Sequence, residues 1–207
     1  SLHDALPISA EHVAGVTLEL GGKGPQVVFP DADIEAAAAG IRNGIFMNAG
    51  QMCWAGSRVI AHESIHDELV DAVVELADAL PLGSGIDDDG RMGPLVDGDQ
   101  QETVAEYVDV GLAEGATLET GGVVPSDRET GFFFEPTVFT DVSNDMRIAQ
   151  EEIFGPVLSV ISVADGTEAL RIANESRFGL MAGLWTSDIS RAHRLAEGLE
   201  YGMVAIN

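Results

Sequence analysis

The feature that most constrains this chain is a repeated exchange between two hydrophobic periods. A short apolar run at Gln26 to Phe29 is followed by Ile34, Ala37, Ala38, Ile41 and Ile45 at helical spacing. Arg58 to Ala61 is followed by the stripe Ile65, Leu69, Val73, Leu76 and Leu80. Later come strand Val157 to Val163, helix Thr167 to Glu175, strand Leu180 to Thr186, helix Ile189 to Leu199 and strand Met203 to Asn207. Period-two runs suit strands, and stripes near period 3.6 suit the helices that cover them. Strands separated by helices need crossover connections rather than hairpins, so the pattern predicts an α/β fold: a largely parallel sheet with helices on both faces.

The remaining segments fill in this frame. Val16, Leu18 and Leu20 alternate with Thr17 and Glu19, which predicts a strand ending at Gly21 and Gly22. Ligands in open α/β sheets bind beyond the carboxyl ends of strands, and that rule marks Glu19 as a candidate functional carboxylate. Asp31 and Asp33 are candidate caps for the helix that begins near Ile34. Pro81 to Val96 reads as a loop whose aspartates form a solvated turn, and its glycine spacing matches no phosphate-binding motif. Gln100 to Glu114 has helical spacing, Ala116 to Thr120 is strand-like, and Gly121 with Gly122 turns the chain. Phe132 to Thr140 is β-prone, but Pro136 argues for an edge or irregular segment. Ser143 is read as the cap of a short helix running into Glu151.

Thirty-five acidic residues against ten basic ones give a net charge of -25. No basic footprint is available for nucleic acid or an anionic membrane, and no apolar run approaches the roughly 20 residues a membrane span needs. Lys23 is the only lysine, and so acidic a surface suggests a host with a salty cytoplasm, an ordinary acidic bacterial enzyme being the plainer reading. A single cysteine cannot form an intrachain disulfide, and the N-terminus has no signal-peptide character, so a reducing cytoplasm is expected. Ser1 to Ile8 reads as the translation of a DNA sequencing adapter and is set aside as non-native. The uncovered strand at Asn207 points to truncation at the other end.

That single cysteine, Cys53, lies in Asn48 to Arg58, NAGQMCWAGSR, among small residues. A lone cysteine is commonly a buried, inert thiol. Glycine and alanine on both sides favour instead a loop whose amides can point at developing charge beside a reactive sulfur. In Glu151 to Pro156, EEIFGP, a carboxylate two residues before an aromatic could grip a ribose while the ring rests on an apolar cofactor face; a helix end with a core phenylalanine is the plainer reading. His62, Glu63 and His66 match HExxH, a zinc pattern when both histidines share a helix. Ser64 with Asp67 resembles a capping box, which starts the helix between the histidines, so no metal site is assigned.

Six stretches together resemble the aldehyde dehydrogenase superfamily, from about Val16 to Asn207: ELGGK at Glu19, NxGQxCxAxxR at Asn48, MGPL at Met92, FFFEPTVF at Phe132, EEIFGPV at Glu151 and FGLMAGLWT at Phe178. The resemblance implies a catalytic domain over 21–207, truncated at its C-terminus, with 9–20 ending an absent cofactor-binding domain. It implies that Cys53 attacks an aldehyde and that Glu19 is the general base for hydrolysis of the resulting thioester. The Cys53 amide would hold the oxyanion. Glu152 and Phe154 would contact the nicotinamide-side ribose of NAD or NADP, Leu20 would approach the nicotinamide, and Met52 and Trp54 would line the aldehyde path. Gly24 departs from the serine usual after ELGGK. A homo-oligomer, dimer or tetramer, is expected of the full-length protein, and the 207 residues alone are expected to be inactive. The competing readings are a cofactor-independent thiol hydrolase or thioesterase, which needs Cys53 and Glu19 but not EEIFGP, and a noncatalytic relative.

Overall fold

A computed structural model of the chain describes residues 2–84, 86, 92–128 and 130–207. Asp87, Asp88 and Asp89, assigned above to a solvated turn, lie outside the described residues. In chain order the elements are α1 (Leu2–Glu11), β1 (Pro25–Val28), α2 (Ile34–Phe46), β2 (Arg58–His62), α3 (His66–Asp78), α4 (Gly98–Glu114) and β3 (Thr117–Thr120). There follow β4 (Thr137–Thr140), α5 (Arg147–Gln150), β5 (Val157–Val163), α6 (Gly166–Asn174), β6 (Met181–Trp185), α7 (Ile189–Gly198) and β7 (Met203–Ile206).

The strands form one seven-stranded sheet in the order β3-β4-β5-β2-β1-β6-β7. Every pairing is parallel except β3 with β4. The predicted α/β class therefore holds, and alternation along the strands shows how both faces are covered. The Trp185 ring would meet a side chain added at Gly40 of α2, which puts α2 against one face. Arg58 reaches from β2 to the carbonyls of Ile172 and Ala173 in α6, on the other. Burying apolar side chains on both faces holds the layers together: Val28, Ile41, Ile60, Leu69, Val138 and Leu158 are each at most 1% exposed.

Several local expectations are corrected. Residues 14–24 form no strand, and Val16, Leu18 and Leu20 are 41%, 41% and 50% exposed. Their alternation is real, but a strand exists only when a neighbouring backbone takes its hydrogen bonds, and none lies beside them here. β4 is an interior strand with all four residues buried. Pro136 precedes it, so no ladder donor is lost, and the Thr137 amide bonds to the Pro156 carbonyl at 2.8 Å. The helix after Ser143 begins only at Arg147, capped by Met146, while the Ser143 hydroxyl turns to Asp145. Asp33 does cap α2, its carboxylate accepting from the Ala36 amide at 3.0 Å. Asp31 instead binds Thr186, Ser187, Asp188 and Arg191 across the sheet.

Candidate active site

Strands β5, β2 and β1 are neighbours and parallel, so the loops that precede them lie side by side at the amino ends of the strands. These loops are Glu151 to Pro156, Asn48 to Ser57, and Gly21 to Gly24. They converge on Gly22. A Cβ at Gly22 would stand 2.1 Å from the Cys53 carbonyl oxygen, so only glycine lets the backbone pass there. The Gly22 amide donates to Glu152 Oε1 at 3.1 Å, and Glu152 Oε2 lies over Gly21, 1.9 Å from where a Cβ would be. Cys53, Glu152 and the ELGGK glycines are thereby brought together from positions far apart in sequence.

The sulfur loop is held in an unusual conformation. Asn48 and Ala49 both have φ of 53°, and Gly50 has φ of 71°. Left-handed backbone at non-glycine residues costs roughly 1–2 kcal/mol each and persists only where its surroundings fix it. Here Asn48 Nδ2 donates to the Gln51 carbonyl at 3.0 Å, and Gln51 Nε2 returns a bond to the Asn48 carbonyl at 3.1 Å. Gly50 packs so closely on Gly155 that a Cβ would be 2.1 Å from the Gly155 oxygen. Cys53 emerges half-buried. Among the described residues its amide donates to no protein acceptor, which leaves it available to an oxyanion.

On the facing loop Phe154 has φ of 56° and its side chain is 41% exposed, an arrangement that offers a ring face to a ligand. Gln100 Nε2 donates to the carbonyls of both Ile153 and Phe154 at 2.9 Å. The two adjacent glutamates have different surroundings. Bonds from Arg147 and then Tyr107 hold the Glu151 carboxyl down to about 2, so it is a structural anion. Glu152 Oε2 has no hydrogen-bond partner among the described residues and can accept from a sugar hydroxyl.

Glu19 and Leu20 are not brought to the sulfur in the same way. Both are exposed on the unpaired segment, and Glu19 makes no hydrogen bond among the described residues. Glu19 is tied to the site only through the short connection to Gly22. Met52 is half-buried against the core and Trp54 is 45% exposed, both beside Cys53.

The carboxyl-end rule used above for Glu19 does not locate this site, which lies at the amino ends of the strands. At the carboxyl ends there is a cleft of about 510 Å3 lined by Phe29, His62, Asp165, Leu170, Arg191 and Arg194. His62 closes β2 and its Nδ1 accepts from the Ser64 amide at 3.1 Å; a 3-10 turn then leads to His66, the first residue of α3. The Ser64–Asp67 capping box is not formed, although the helix does begin after the first histidine.

Sequence reading marked Gln51 and Lys23 only as letters of the NxGQxCxAxxR and ELGGK stretches and missed Gln100; the two glutamines bind backbone, a role that leaves no periodic signal. Lys23 is 1% exposed, and its Nζ has no hydrogen-bond partner among the described residues. Burial and then the nearby Arg58 charge lower its pKa to about 7, against opposing pulls from Glu152 and Glu151. Arg58, equally buried, is fully satisfied: it donates to Lys23 O, Asn144, Ile172 O, Ala173 O and Tyr201. Two of those carbonyls lie in the last turn of α6, where the helix dipole favours a cation.

Residues 5–207 match the aldehyde dehydrogenase family. A betaine aldehyde dehydrogenase of Brucella anthropi is 46% identical over 201 residues, which cover 96% of this chain and 41% of that protein. A putative aldehyde dehydrogenase of Bacillus subtilis is 45% identical over 199 residues, covering 96% of this chain and 40% of that one. Among solved structures, an NAD+ complex of an aldehyde dehydrogenase from Bacillus cereus superposes with a TM-score of 0.92 at 46% identity, covering 97% of this chain and 40% of that one. A betaine aldehyde dehydrogenase from Staphylococcus aureus with NAD+ gives 0.93 at 41% identity, with the same coverage. The chain thus spans about two fifths of the length of these relatives, 40% or 41%.

Proposed function

The chain belongs to the aldehyde dehydrogenase family, and on that premise we propose that it is the nucleophile-bearing part of an enzyme that oxidises an aldehyde to a carboxylic acid with NAD or NADP. The observation that carries this reading is the convergence on Gly22, which touches the Cys53 carbonyl on one side and binds Glu152 on the other. A thiol hydrolase would need the sulfur but not a ribose acceptor fixed to the same glycine.

The residues present fit the cofactor. Glu152 Oε2 makes no hydrogen bond among the described residues, and Phe154 presents an exposed ring. When bound, the dinucleotide supplies a hydride acceptor. Cys53 Sγ adds to the aldehyde carbon, and the oxyanion that forms takes a hydrogen bond from the Cys53 amide. Loss of hydride from that carbon leaves a thioester on Cys53. Glu19 then takes a proton from water as its oxygen adds to the thioester carbonyl, and the carbon–sulfur bond breaks to give the acid and the Cys53 thiolate. Leu20 would border the nicotinamide, and Met52 and Trp54 would border the aldehyde. Trp54 is able to face a cationic substrate, so betaine aldehyde heads the panel to be tried.

The lone cysteine suits a reducing cytoplasm, and among the described residues no helix is long and apolar enough to cross a membrane. Sheet-edge strand β7 leaves Met203 60% and Ile206 39% exposed, which supports a homo-oligomer of the full-length protein. The test is turnover of the full-length protein against an aldehyde panel with NAD and NADP, in high and low salt, beside Cys53→Ala. Reduced cofactor that forms with the wild type and not the variant supports the proposal. Thioester cleavage without cofactor dependence, and no aldehyde oxidation, overturns it.

A further inference from the structure

Two glutamines outside the proposed chemistry connect the two loops that carry it. Gln51, two residues before the sulfur, uses both ends of its amide. Its Oε1 accepts from the Val96 amide at 2.8 Å, and its Nε2 donates to Asn48 O at 3.1 Å and reaches Pro94 O at 3.5 Å. Val96 is followed at once by Asp97, whose side chain caps α4 by accepting from the Gln100 amide at 2.9 Å. The side chain of Gln100 in turn holds the Ile153 and Phe154 carbonyls. A continuous path therefore runs from the sulfur loop through Gln51, Val96, Asp97 and Gln100 to the Glu152–Phe154 loop. The close packing of Gly50 on Gly155 joins the same two loops directly and closes the path into a ring.

Left-handed residues stand at both ends of this path: Asn48 and Ala49 on one side, Phe154 on the other. Such backbone keeps its shape only where bonds over-determine it. We propose that Gln51 and Gln100 are positioning residues that, through the segment from Pro94 to Gln100, fix the sulfur relative to the loop that holds the cofactor ribose. The inference rests on the functional reading above for its consequence, since a sulfur displaced by about 1 Å from its reaction partner costs on the order of 100-fold in rate.

The test is a double-mutant cycle in the full-length enzyme with Gln51→Leu, Gln100→Leu and both together. It is read by kcat for aldehyde oxidation, KM for the cofactor, and the rate of Cys53 alkylation by iodoacetamide across pH. Each single variant is expected to lower kcat about 10- to 100-fold. The double variant is expected to lose little more than the worse single one, because one break at either end opens the path. Alkylation should respond non-additively in the same way. Effects that multiply would overturn the proposal, since independent sites add in free energy. If Gln51→Leu does not fold, Gln51→Glu replaces it. That variant keeps the acceptor for Val96 but sets a carboxylate oxygen against the Asn48 carbonyl, so a loss comparable to that of Gln100→Leu is expected, and kcat within about threefold of wild type contradicts the path. Alkylation involves neither aldehyde nor cofactor, so its coupling is readable even if the oxidation itself fails.

Discussion

The loop that carries Cys53 and the segment that carries Glu19 share one proposed reaction, yet the fold fixes one and leaves the other loose. Asn48 to Ser57 is gripped by Gly22, Gly44, Val96 and Gly155, which come from four other parts of the chain. Residues 15–20 make no hydrogen bond among the described residues, and their apolar side chains are exposed. Contacts within this chain therefore set the geometry of the Cys53 loop, and among the described residues none does so for Glu19.

Breaking the loose side should leave the fixed side working. With Glu19→Gln in the full-length enzyme, steady-state turnover should fall by about 10²- to 10⁴-fold, the usual contribution of a general base. A first-turnover burst of reduced cofactor should survive, since sulfur attack does not need Glu19. A burst lost together with turnover would assign Glu19 to the earlier step.

Breaking the fixed side should cost stability as well as rate. Gly50→Ala forces a Cβ against the Gly155 oxygen at 2.1 Å and puts alanine at φ of 71°. A loss of about 3 kcal/mol in unfolding free energy is expected, read by denaturant titration. Adding a side chain to the loose segment with Gly15→Ala, where nothing lies within 4 Å, should change stability by no more than about 0.5 kcal/mol. Equal losses would erase the distinction between the two regions.

The buried amine beside the fixed loop gives a pH signature. Lys23 has a pKa of about 7 in the folded chain against 10.5 ordinarily. Between those values the unfolded chain holds a proton that the folded one lacks, so stability rises with pH, by at most about 1.4 kcal/mol per unit. Lys23→Met should raise the melting midpoint near neutral pH and flatten its rise between about pH 7 and about pH 9. Parallel melting curves for the two proteins would show that Lys23 is satisfied. A small effect belongs to Arg147, whose pair with Glu151 is 52% and 36% exposed. Arg147→Ala should leave the melting midpoint almost unchanged while raising the Glu151 pKa from about 2, followed by carboxyl NMR titration.

Most elements of the sheet were legible because burial on both faces leaves apolar runs between cap and turn residues. Val157 to Val163, for example, was read with its exact bounds, since only an interior parallel strand needs such a run. Val16 to Leu20 was misread as a strand, since alternation reports which faces differ and not whether a neighbour exists. β4 was misjudged because Pro136 forbids a donor at its own position only, one residue before the ladder begins. Cys53, Glu152 and Phe154 could be marked by residue type and motif. Their meeting at the amino ends of the strands could not, because it follows from the strand order. Asp31, read as a cap, serves Thr186 and Arg191 instead, more than 150 positions away, with separations of 155 and 160.

The most direct test of a nucleophile set by its own loop is intact-protein mass spectrometry of full-length Glu19→Gln, quenched after mixing with aldehyde and cofactor. An added mass equal to the acyl group, mapped to Cys53 and absent from Cys53→Ala, is the predicted result. No adduct on Cys53, or aldehyde oxidation that persists in Cys53→Ala, would contradict it.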